Sequence, residues 1–123
     1  MQTQTEAMTQ HSSNLDEEDL LLQMVNVIVK ERSPEAIILF GSRARGDARA
    51  DSDVDLLVIE KEPFSPQRSR RKELARLQMA LRNLPFSKDI LLYSRDEFEH
   101  WRHSLNHLAG RAGREGRLLH GRL

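Results

Sequence analysis

Two aspartates one residue apart, Asp53 and Asp55, stand at the head of an apolar run, Leu56 to Ile59. Side chains on a strand alternate faces, so both carboxylates point one way and Val54 points into the core. Side by side they repel, and a hard cation relieves that repulsion, which makes them a candidate Mg²⁺ site. Asp89 opens a second apolar stretch, Ile90 to Tyr93. If its strand lies beside the first, its carboxylate reaches the same face. Three carboxylates at one edge can hold two Mg²⁺ ions. One would arrive with the phosphates of a nucleotide, and the other would lower the pKa of an acceptor hydroxyl. That is the chemistry of phosphoryl and nucleotidyl transfer, which rests on positioning and charge neutralisation.

Gly41-Ser42 adds a second half, separated from Asp53 by ten residues. Glycine lets backbone approach a ligand closely, and a helix starting at Ser42 would turn its unpaired N–H groups toward an anion such as a phosphate. Arg43, Arg45 and Arg49 supply positive charge nearby. Taken alone, each half has a plainer reading. Gly-Ser before arginines is also an ordinary surface turn, and Asp51-Ser52-Asp53 is also a solvated loop end.

The surrounding pattern predicts the elements that hold these residues. Ala36–Phe40 and Val54–Glu60 read as buried strands, and Asp89–Tyr93 as a third. A helix is expected from a cap at Asn14 or Asp16 to about Glu31, with Leu20, Leu21, Met24, Val27 and Ile28 buried. Its acidic first turn and the Lys30 and Arg32 at its end suit the helix dipole. Ser33-Pro34 stops it. A second helix is expected from Ser65-Pro66 to about Leu84, with Leu74, Leu77, Leu81 and Leu84 as its stripe. Ser94-Arg95-Asp96-Glu97 is a capping box that starts a third. The glycine-interrupted remainder predicts a weak last helix and a short extension, Arg117 to His120. The expected fold is α/β (α+β), a small mixed sheet of three to four strands packed with helices.

The chain has 123 residues, 31% charged and 38% hydrophobic, with no net charge and no cysteine. One domain fits that length, expected over residues 14–123, after a polar tail at 1–13. Zero net charge gives no general attraction to nucleic acid. The absence of cysteine excludes disulfides and thiolate zinc sites. No run approaches a membrane span, and the first residues lack the apolar stretch of a signal peptide, so a cytoplasmic protein is expected. His100, His103 and His107 are spaced like a ligand series but have no completing group, and a polar helix face is the expectation. The run Arg68 to Lys72 reads as a solvated helix face, and Phe98 and Trp101 as core or partner contacts.

Together, Gly41-Ser42-Arg43-Ala44-Arg45-Gly46 and Ser52-Asp53-Val54-Asp55-Leu56 resemble the GSxARG…SDxDL signature of the DNA polymerase β-like nucleotidyltransferase superfamily. The resemblance is nearest to its minimal nucleotidyltransferases (the MNT family), and it extends loosely over the chain after residue 14. It implies that Gly41 and Ser42 hold the triphosphate of the nucleotide, with Arg43 and Arg45 in support. Asp53 and Asp55 would bind both Mg²⁺ ions, and Asp89 would complete the catalytic one near the attacking hydroxyl. The chain ends soon after this core, so the expectation is that a partner supplies the acceptor. Minimal members pair with small helical HEPN toxins as antitoxins, and some transfer AMP from ATP to a toxin tyrosine. The resemblance therefore implies ATP as donor, a HEPN-type partner and a homo- or hetero-oligomer. Two other readings are a binding module that neutralises its partner by occlusion, and an adenylyltransferase acting on RNA.

Overall fold

The structure, a computed structural model, describes residues 12–85 and 87–123. The first eleven residues of the expected tail lie outside the described residues. In chain order the elements are α1 (Ser12–Arg32), β1 (Ala36–Phe40), α2 (Ser42–Arg45), β2 (Val54–Glu60), α3 (Arg70–Ala80), β3 (Lys88–Ser94), α4 (Arg95–Trp101), α5 (Leu108–Glu115) and β4 (Arg117–Gly121). Four strands form one mixed sheet in the order β3-β2-β1-β4. β1 runs antiparallel to β2 and β4, while β2 and β3 are parallel because α3 carries the chain back across the sheet. Among the described residues, no helix is long and apolar enough to cross a membrane.

Both faces of the sheet are covered, so its central strands are apolar along their middle. One face carries Ile37, Leu39, Leu56, Val58, Ile90 and Leu92 against Leu21, Met24 and Ile28 of α1 and Leu77 of α3, with Leu81 just beyond. The other carries Ala36, Ile38, Leu57 and Ile59 against Phe98 of α4 and Ala109 and Ala112 of α5. Strand alternation puts Phe40, Asp55 and Asp89 on this second face, at the end that α4 and α5 leave open.

Three local expectations shift. α1 begins at Ser12, so the two residues before Asn14 are helical and the acidic group falls beyond its first turn. Glu17 and Glu18 instead pair across the fold with Arg43 and Arg117, both at 2.7–2.8 Å. α3 starts at Arg70, capped by the Ser69 hydroxyl, rather than at Pro66, and ends at Ala80 rather than Leu84. Ser65 forms a tight turn with Arg68 instead, which brings the Arg68 guanidinium within 2.6 Å of buried Glu60. The expected extension at 117–120 is the fourth strand. The Ser94–Glu97 capping box forms as the sequence predicts.

Arg68 belongs to a network that the sequence did not announce. Arg32 bonds Glu60 and Glu73, and Arg68 joins the same two carboxylates. Arg68 and Arg70 also lie over the Phe64 ring at 4.7 Å. Part of the basic run is therefore packed rather than solvated. The cluster ties α1, β2 and α3 together at the end of the sheet opposite the aspartates.

Candidate active site

The antiparallel register sets Phe40 beside Asp55, and the parallel register sets Asp55 beside Asp89. Neighbouring strands lie ~4.8 Å apart, so the two carboxylates are close neighbours on one face. Asp53 precedes β2 by one residue and is exposed, as is Asp89, while Asp55 is half-buried. Burial first, then the charges of Asp89 and Asp53, push the Asp55 carboxyl above its usual range, and Arg45 partly offsets them. Both neighbouring carboxylates thus act electrostatically on Asp55.

Gly41 closes the site from the β1 side. Its φ of 74° and ψ of −157° lie in a region open essentially only to glycine. A Cβ there would stand 2.2 Å from Asp55 Oδ2, so the missing side chain is what makes room for the carboxylate. The Gly41 carbonyl accepts from the Ala44 and Arg45 N–H groups at 3.1 and 3.2 Å, fixing the turn into α2.

The arginines divide. Arg45 is about half exposed and holds Asp47 only at 3.4 Å, with its charge felt at Asp55. Arg43 turns the other way: its side chain is 5% exposed, bonding Glu17 at 2.7 Å and the Ser52 carbonyl at 2.7 Å. Its guanidinium anchors the loop that delivers Asp53. Arg49 is exposed, and its backbone N–H donates to the Ser52 hydroxyl at 2.8 Å.

A cavity of about 190 Å³ adjoins this edge. Phe40 and Gly41 line it from the strand side, and Leu108, Arg111 and Ala112 from α5, with Arg45 and Glu115 at its border. Sequence reasoning missed the α5 residues. α5 reaches the border of this end because it leads into β4, which pairs with β1, and no local spacing signals that contact.

The carboxylates suit a divalent ion in chemistry: all are hard oxygen donors, and Asp89 and Asp53 add negative charge beside the half-buried Asp55. Among the described residues, no three His, Cys, Asp or Glu side chains close into a ready cage. Mg²⁺ seldom needs one, since it keeps several waters and is held by one or two carboxylates plus substrate phosphates. The histidines do not form a metal site either. His107 caps α5 through the Ala109 N–H and stacks on Trp101 at 4.1 Å.

Residues 22–108 match the nucleotidyltransferase domain family. The chain belongs to that family. Among solved structures it is similar to that of a candidate nucleotidyltransferase from Sulfolobus solfataricus, at 21% identity and a TM-score of 0.59, covering 90% of this chain and 86% of the other. That similarity bears on the fold alone, and it agrees with the mixed sheet described above. A toxin–antitoxin structure with AMP-PNP aligns at 20% identity and a TM-score of 0.48, over 85% of this chain and 73% of the other. No curated protein matches the sequence.

Proposed function

We propose that this nucleotidyltransferase domain transfers AMP from ATP to a hydroxyl of a protein partner, with Asp53, Asp55 and Asp89 as its catalytic carboxylates. The observation that carries this is the shared face of Asp55 and Asp89, with Gly41 stripped of a side chain against Asp55, in a chain of this family. In the reaction a hydroxyl oxygen bonds to the α-phosphorus. The bond from that phosphorus to the bridging oxygen breaks, and pyrophosphate leaves with its electron pair. The hydroxyl proton passes to a carboxylate or water.

Asp53 and Asp55 would hold Mg²⁺, with Asp89 as a third donor. Bound there, Mg²⁺ supplies charge neutralisation and acidifies the acceptor hydroxyl. The residues of the chain do the rest. Gly41 and Ser42 admit the triphosphate close to the backbone, Arg45 offsets its charge, and Asp89 stands on the acceptor side. Arg43 acts through the loop by positioning Asp53.

The acceptor reading follows the sequence resemblance: a tyrosine of a HEPN-type toxin, with this chain as antitoxin. Mass spectrometry of a co-expressed partner tests it. Intact protein should carry AMP adducts on tyrosine, absent with Asp53→Ala/Asp55→Ala, while the complex still forms. Neutralisation of the partner by the double variant would favour occlusion instead. Adducts on RNA alone would move the acceptor to nucleic acid.

A further inference from the structure

The cavity beside Gly41 has two cationic side chains, and neither is firmly held. Arg45 reaches Asp47 at 3.4 Å and Arg111 reaches Glu115 at 3.6 Å, with all four side chains more than half exposed. Exposed pairs of that length contribute little, so both guanidiniums are available to a stronger anion. The volume, about 190 Å³, lies below the ~300 Å³ at which sites for whole drug-sized ligands begin. It suits a fragment of a nucleotide.

Which fragment follows from the order of charges across the sheet edge. Asp89 on β3 stands at one side of Asp55, and Gly41 with the two arginines at the other. Displacement at phosphorus proceeds in line, with nucleophile and leaving group on opposite sides. A carboxylate repels polyphosphate and suits a hydroxyl that must shed a proton, whereas two arginines suit the leaving group.

We propose that Arg111 of α5 is a further phosphate-binding residue, acting from across this cavity with Arg45 on the leaving pyrophosphate. The proposal rests on the nucleotidyl-transfer reading above. Glu115 competes for Arg111, so pyrophosphate binding exchanges one ion pair for another. That exchange keeps the product weakly held and free to leave.

Calorimetric titration of the purified chain with Mg²⁺ and inorganic pyrophosphate, ATP or AMP tests this. Arg111→Ala should weaken pyrophosphate about tenfold or more, the scale of a charge-assisted hydrogen bond. It should leave AMP affinity and the melting temperature unchanged, since Arg111 is exposed. Glu115→Gln should tighten pyrophosphate binding, and Arg111→Lys should restore part of it. Unchanged pyrophosphate affinity in Arg111→Ala, in a chain that still binds ATP, overturns the assignment and leaves the nucleotidyl-transfer reading standing. Equal weakening of AMP and pyrophosphate gives the cavity to the nucleoside end and also overturns it. A wild-type chain that binds no Mg²⁺–ATP overturns both.

Discussion

Replacing Gly41 by alanine separates two roles that the structure gives one residue. The first is backbone: at φ 74° and ψ −157° a side chain is strained, which costs about 2 kcal/mol of stability. The second is space. The new Cβ would meet Asp55 Oδ2 at 2.2 Å, whereas ordinary contact begins at 3.4 Å. The carboxylate must therefore retreat by roughly 1 Å, a misplacement that can lower a rate about 100-fold. Gly46→Ala is the control. Gly46 also has a positive φ, 84°, but nothing lies within 4 Å of a Cβ built there. It should lose about 1–2 kcal/mol to strain with transfer activity intact. Urea unfolding gives the stabilities, and AMP transfer to the partner gives the rates. Should Gly41→Ala keep wild-type transfer, or lose no more activity than Gly46→Ala, the close approach of Gly41 to Asp55 has no part in catalysis.

Three further outcomes follow from the charges. Burial and its neighbouring aspartates raise the Asp55 value in the folded chain. The stability from this group is thus complete at low pH, below the unfolded carboxyl range, and is lost as pH rises through the raised folded value. Asp55→Asn should therefore raise the melting temperature at neutral pH, with the gain vanishing near pH ~3. A loss of melting temperature at neutral pH would contradict this. Arg43→Ala removes a buried guanidinium from the Ser52 carbonyl and Glu17, and should cost about 2 kcal/mol in urea unfolding and lower the hydrogen-exchange protection of the 46–53 loop. Arg32→Ala leaves Arg68 as the remaining cation beside buried Glu60 and Glu73, whose Oε2 atoms already lack a hydrogen-bond partner. A loss of about 3 kcal/mol is expected, with Mg²⁺–ATP affinity unchanged because the network lies at the far end of the sheet.

Much of this was legible because it is local. The apolar runs 36–40 and 54–60 became strands with those bounds. The alternation of Asp53, Val54 and Asp55 buries Val54 fully and turns Asp55 to the open face. Placing Asp89 needed only that β3 run beside β2. What escaped was long-range. Arg43 and Arg45 look equivalent in the sequence, yet Glu17 on α1, 26 residues away, claims the first. α3 starts at Arg70, behind its Ser69 cap, because Arg68 is held in a turn beside buried Glu60. Arg111 gained its place because α5 leads into β4, which pairs with β1, and no short-range spacing encodes that.

Nucleotidyl transfer is defined by which phosphorus is attacked. Incubation of the chain with its partner and ATP labelled either at the α- or at the γ-phosphate decides that directly. The α label should be transferred covalently, the γ label should be released in pyrophosphate, and Asp55→Asn should transfer neither. Transfer of the γ label, or transfer of the α label undiminished by Asp55→Asn, would contradict the nucleotidyl-transfer reading.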